Sequence, residues 1–281
     1  MICHNPLTKY FRQPGIYLTL PSRGYYNKND IDTSMDGEVG ILPMTAQDEI
    51  LVNNPDSLLN GSALEHIVSS CCPGIRKPRD LPIIDVDVII LATKMITYGD
   101  KLELFSQCPE CKKGVEIKLS IRELLDKIRL LPTECPVRIN DDLIVYIRPY
   151  SLNTANKLNM AEFEENKLLQ NIILNTDDES KKINAFTASF RKITKLHLET
   201  FAECVMKIHT PEGSVKETDL IQEFIINSDR NVIDKMQKTL TELNSYGLPS
   251  EHTITCDDET CNFKWNTNIS YNPSSFFVKD S

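Results

Sequence analysis

Two cysteine pairs constrain this chain more than any other feature: Cys108-x2-Cys111 and Cys256-x4-Cys261. Thiolates two to four residues apart in a tight turn can aim both sulfurs at one ion, and two such turns complete a tetrahedral site. Zinc suits four thiolates because it is soft enough for sulfur and brings no redox chemistry to control. Residues 112–255, 144 of them, separate the pairs, far more than a compact zinc ribbon needs. The expected fold is therefore α+β, a helical bundle with a β-hairpin zinc-ribbon-like module joining distant segments. With four thiolates the site is closed to water, so the Zn2+ is structural rather than catalytic. Three alternatives stand beside it: a redox pair at Cys108 and Cys111, an iron–sulfur cluster, and cysteines carrying no ligand. The first wants a preceding βαβ pattern, which is missing. Cys3, Cys71, Cys72, Cys135 and Cys204 show no second pairing and read as core or incidental thiols.

The sequence around the pairs supports hairpins. Strand-like runs at 101–105 and 115–119 flank the first pair, and 252–255 and 262–269 flank the second. A further hairpin is expected from 137–139, through Asn140-Asp141-Asp142, to 143–148. Thr45 can cap a short helix with Asp48 and Glu49 in its first turn. A second follows Gly61 or Ser62 and stops before Pro73-Gly74. Residues 83–98 read as a buried helix ending at Gly99, although their Val and Ile content also suits a strand.

Residues 151–245 read as helical. Ile183, Phe186, Phe190 and Ile193 recur at spacings of three and four, as do Leu198, Phe201, Ala202 and Val205, and again Ile233, Met236, Leu240 and Leu243. The spacing predicts that all three stripes are bundle core. Four parts follow: an extended arm over 1–43, an α+β region with the first knuckle over 44–150, a helical region over 151–250, and the second knuckle with the tail over 251–281. The arm is rich in turns and exposed aromatics and is expected to lie along another surface.

Composition excludes several classes. The net charge of −9 disfavours a protein that binds nucleic acid through phosphates, although Arg76-Lys77-Pro78-Arg79 and Lys112-Lys113 form small basic islands. The longest apolar run, 88–92, is far short of the roughly 18 to 20 residues of a membrane span. The first residues show no secretory signal, so a cytosolic product with reduced thiols is expected.

Recognisable catalytic motifs are missing: no phosphate loop, dinucleotide fingerprint, zinc-protease helix or nucleophile elbow. Asp85 and Asp87 could hold a divalent ion, yet they sit among Ile84, Val86, Val88 and Ile89 with no second acidic cluster, and read as a solvated or paired helix edge. None of the five histidines has a carboxylate or cysteine at a catalytic spacing. No enzyme is expected.

The order of several short motifs adds a resemblance. Leu20-Pro21-Ser22-Arg23-Gly24, then Met44-Thr45-Ala46-Gln47-Asp48-Glu49, then Asn54-Pro55-Asp56 with Leu58-Leu59-Asn60-Gly61, resembles the opening of the T4-type phage baseplate protein family. Tyr98-Gly99-Asp100, Cys108-Pro109-Glu110-Cys111, Arg148-Pro149 and Phe276-Phe277 look like that family too. The resemblance implies a structural or assembly role in the baseplate hub of a contractile phage tail. It implies contacts with hub proteins in the host cytoplasm during assembly and a place in the virion baseplate. Self-association is compatible with it, a membrane is not required, and a zinc-ribbon nucleic-acid-binding regulator is the rival reading. Zinc is not implied by the family and rests on the four cysteines.

Overall fold

The computed structural model describes residues 6–54, 57, 60–175 and 178–268. Cys3, His4, Pro55-Asp56, Leu58-Leu59 and Phe276-Phe277 lie outside the described residues. Helix and strand are mixed, an α+β architecture, and the buried apolar residues gather into three clusters.

The first cluster begins in the N-terminal segment. Strands β1 (Ile16–Leu18) and β2 (Val39–Ile41) pair antiparallel, and Leu18, Leu20, Ile31, Val39 and Ile41 are buried. The segment expected as an arm along another surface thus supplies this molecule's own core from residue 16 onward. Its short apolar pieces lack helical periodicity because they pack as strand and turn. Tyr10 and Tyr17 do stay exposed.

Helix α1 (Ala46–Val52) starts where Thr45 accepts from the Asp48 N–H and the Asp48 carboxylate accepts from the Thr45 N–H, a capping box. Helix α2 (Ser62–Cys71) follows. Helix α3 (Ile83–Tyr98) buries Asp85, Val86, Val88 to Thr93 and Met95, so nearly its whole circumference is covered. Tertiary packing on every side overrides the strand preference of its β-branched residues. Gly99 (φ 102°) releases the chain into strand β3 (Lys101–Gln107). The short helix α4 (Ile121–Asp126), capped by Ser120, was not expected.

The second cluster is built on a four-stranded antiparallel sheet, β5 (Pro136–Arg138), β6 (Ile144–Ile147), β7 (Val205–Thr210) and β8 (Gly213–Val215), in that order. Two long helices, α5 (Leu152–Asn175) and α6 (Glu179–Glu203), are inserted between β6 and β7. Val205 therefore leaves the helical stripe in which sequence places it. It pairs with Ile147, and Val205 and Ile208 are buried under the helices. Helices α7 (Thr218–Asn227) and α8 (Arg230–Asn244) close this core with Ile221, Ile225, Met236, Leu240 and Leu243. No helix among the described residues is long and apolar enough to cross a membrane.

Candidate metal centre

Strands β3 (Lys101–Gln107) and β4 (Gly114–Ser120) form one two-stranded hairpin, and β9 (Glu251–Thr255) and β10 (Lys264–Asn268) form another. Each places a cysteine pair in its turn. Alternation does the positioning. Val115 and Ile117 from β4 and Ile254 from β9 point inward with Cys108 and Cys256, and Leu104, Leu119 and Trp265 pack against them.

The two turns use the same backbone device. The Cys108 N–H donates to Lys113 O (2.9 Å) and the Lys112 N–H to Cys108 O (3.0 Å), with Lys112 left-handed at φ 61°. In the second turn the Cys256 N–H donates to Phe263 O (2.8 Å), and the Cys261 and Asn262 N–H groups both donate to Asp258 O (3.0 Å), with Asn262 left-handed at φ 46°. In both, the residue after the second cysteine reverses the chain so that both sulfurs face one point. Lys113 then reaches from the first turn to Asp257 (3.3 Å) and Asp258 (3.8 Å) of the second.

All four sulfurs lie within 4.8 Å of one another. The shortest approaches given are Cys111 to Cys256 at 3.6 Å and Cys108 to Cys261 at 3.9 Å. A disulfide would need about 2.05 Å. A tetrahedron of sulfurs around an ion with bonds of about 2.3 Å has edges of roughly 3.8 Å. The spacing fits a four-thiolate metal site, which these residues could form.

The charge behaviour of the thiols points the same way. Burial raises the Cys108 thiol, but the Cys111 and Glu110 N–H groups and the neighbouring thiols outweigh it and bring it down to about 7. At Cys256 the Asp258 N–H lowers, while burial and the thiols of Cys111, Cys108 and Cys261 raise, and the balance is pushed up to about 12. Cys261 is raised as well. One anion forms readily among four sulfurs and the next resist it. A cation in their midst removes that repulsion.

Other residues considered from sequence land elsewhere. Asp85, expected at a solvated or paired edge, is fully buried, accepting from the Ser22 N–H (2.9 Å) and from the Ser22 hydroxyl. Its partner lies 63 residues away, beyond the reach of local pattern. Asp87 is half-buried on the same helix. His66 does have a carboxylate partner, with Nε2 2.8 Å from Asp48 Oδ1. Asp48 also meets the Thr45 N–H, Ser70 Oγ and Arg12, so it ties the N-terminal segment to α1 and α2. The Thr45-x-x-Asp48 capping pattern is the signal that marks Asp48.

The family model for T4 bacteriophage base plate protein matches residues 31–278. The chain belongs to this family. No curated protein and no solved structure gives a significant match. The baseplate match runs through both cysteine turns and the whole insertion between them, so the helical region shares in it.

Proposed function

We propose that this chain is a non-enzymatic structural or assembly protein of the baseplate hub in a contractile phage tail. It works in the host cytoplasm through contacts with other baseplate proteins. The observation that carries this is the family match over residues 31–278, nearly the whole chain. The residues add a consistent physical role. Arg12, Asp48, His66 and Ser70 fasten the N-terminal segment, and the ribbon fastens residues 108 and 256 together, so the exposed surface is carried on a braced body.

The ion we assign to Cys108, Cys111, Cys256 and Cys261 is zinc, supported by sulfur separations near the edge of a zinc–thiolate tetrahedron. Bound zinc would supply a crosslink between two turns distant in sequence. The protein's part is to aim the four sulfurs, through the left-handed Lys112 and Asn262, and to bury Cys108 and Cys256.

Affinity capture of the tagged chain from phage-infected cells tests the role, with mass spectrometry of the eluate and of purified virions. Tail baseplate proteins in the eluate are expected. Presence in virions assigns a component, and absence assigns an assembly factor. An eluate of nucleic acid or transcription machinery without tail proteins overturns the reading in favour of a zinc-ribbon regulator. Elemental analysis of the purified chain tests the metal, with one zinc per chain expected and none after changing Cys111 and Cys256 to serine.

A further inference from the structure

The α5–α6 hairpin is two helices roughly 36 Å long, yet its own seam is polar at mid-length. There Glu165 is buried, accepting from Ser189 Oγ (2.5 Å) and Lys192 Nζ (2.5 Å). The apolar residues of α6 face elsewhere. Ile183, Phe186 and Phe190 are 64%, 53% and 73% exposed, and Ile193 continues their stripe half-buried. Among the described residues none of the four joins any of the three hydrophobic clusters. Three of these side chains alone leave roughly 350 Å² of apolar surface in water, comparable with the largest apolar patch of an ordinary monomer, which is often functional.

We propose that this stripe pairs with its own copy, two α6 helices packing antiparallel about a two-fold axis at the level of residue 188. The spacing of three and four over residues 183–193 is that of a coiled-coil seam. Laid against itself in that sense, the stripe makes four layers: Ile183 on Ile193 of the second copy, Phe186 on Phe190, and the two mirror layers. Each layer is apolar on both sides, and two pair the same residue types in reverse, as an isologous contact requires. One step beyond the last layer, Glu179 of one copy comes level with His197 of the other, whose Nε2 also lies 3.6 Å from Glu162 Oε1 of its own chain. Of the positions flanking the centre, Thr187 is exposed, small and uncharged, while Ser189 is turned to α5, its hydroxyl donating to Glu165.

The body leaves room for this. Beside the base of α6 lies a cleft of about 280 Å³, lined by Thr194, His197, Leu198, Phe201, Ile233 and Gln237 among others. The N-terminal end of the second copy's α6 would enter there. A stable pair needs about 600 Å² from each partner, and the three exposed side chains supply more than half of it.

Sedimentation equilibrium of the full zinc-loaded chain up to roughly 100 μM tests the proposal. The wild type is expected to be a dimer. Phe190→Glu sets a carboxylate into two of the four layers and should weaken it about a hundredfold, with the far-UV circular dichroism unchanged. Phe163→Glu, on the far side of α5, should leave the dimer intact. Ile183→Glu faces Ile193 of the other copy and should weaken pairing about tenfold, and adding Ile193→Lys should restore it to within about threefold. A monomeric wild type, a Phe190→Glu chain that still pairs, or equal loss in Phe163→Glu overturns the seam. Failure of the double variant to recover overturns its antiparallel sense.

Discussion

Asp85 in the first turn of α3 accepts from the Ser22 N–H and hydroxyl, whereas Asp48 accepts from Thr45, Ser70 and His66 and lies 3.3 Å from the Arg12 guanidinium. The two carboxylates therefore respond to pH in opposite senses. Burial pushes Asp85 up to about 7, which its bonds to Ser22 only partly offset, and burial followed by the Asp85 charge pushes Asp87 to about 7 as well. An Asp in the unfolded chain ionises near 4, so between about pH 4 and 7 the unfolded state sheds a proton that the folded state keeps. Folding stability contributed here is present below pH 4 and falls as pH rises. Asp85→Asn keeps the bond from the Ser22 N–H and reverses the other, its amide donating to Ser22 Oγ, and should flatten more than half of that slope, gaining about 2 to 4 kcal/mol at pH 8 in denaturant titrations. An unchanged slope would mean that Asp85 is ionised in the folded chain. At Asp48 burial raises, but the Thr45, Ser70 and His66 hydrogen bonds outweigh it and hold the carboxyl below its ordinary value. Its contribution is present above the unfolded carboxylate range and is lost as pH falls through the folded value. Asp48→Ala should cost about 2 to 4 kcal/mol at pH 7 and less at pH 3, measured the same way. Of this pair, the capping pattern made Asp48 legible in the sequence. Asp85 was not, because a hydrophobic neighbourhood does not reveal a serine 63 positions upstream.

Helical stripes show where legibility ends at the level of elements. Ile233, Met236, Leu240 and Leu243 on α8 and Ile183, Phe186, Phe190 and Ile193 on α6 carry the same spacing. Met236, Leu240 and Leu243 are buried on the sheet, and Ile183, Phe186 and Phe190 are exposed. Spacing identifies an apolar face and says nothing about what covers it. The difference comes from topology. Helix α8 packs against β5 and β6, whereas α6, which packs on α5 across a seam holding Glu165 and on α7 and β7, leaves Ile183, Phe186 and Phe190 outside all three clusters. In dilute solution, where the chain is monomeric, Leu240→Ala should cost about 2 to 5 kcal/mol and Phe190→Ala under about 0.5 kcal/mol, read from chemical denaturation. Comparable losses would mean that α6 is covered within a single chain. Strands β7 and β8 were hidden by the same limit, since Val205 fits the helical repeat of α6 until β6 is there to pair with it. The β3–β4, β5–β6 and β9–β10 hairpins were legible because short alternating runs around turn residues carry their own register.

Across the whole molecule the chain makes two nested departures. It leaves the ribbon after β4 at Ser120 and returns with β9 at Glu251, and within that excursion it leaves the sheet at β6 and returns at β7. The first two cores hold long buried lists, and Leu102 of β3 joins the first, while the cluster between the two hairpins buries Cys108, Val115, Ile117, Ile254 and Cys256. Five side chains, two of them would-be ligands, are too few to close two separate hairpins against their conformational entropy. A metal bound by the four thiols would therefore supply most of the stability of the ribbon's cysteine end, while the helices depend on other cores. This separation can be observed directly, because Trp265 is the single tryptophan of the chain and packs into the ribbon. A strong chelator, or Cys111→Ser with Cys256→Ser, should shift Trp265 emission to the red as the indole becomes wet. The far-UV helical signal should change by less than about a tenth, since every helix lies outside β3–β4 and β9–β10. Adding back one equivalent of zinc should reverse the shift in the wild type and leave it unchanged in the serine variant. Loss of helix in step with the fluorescence would instead make the ribbon the keystone of all three cores. A chelated chain with unshifted emission would show that packing alone closes the ribbon, so that the four thiols gain their proximity without a metal.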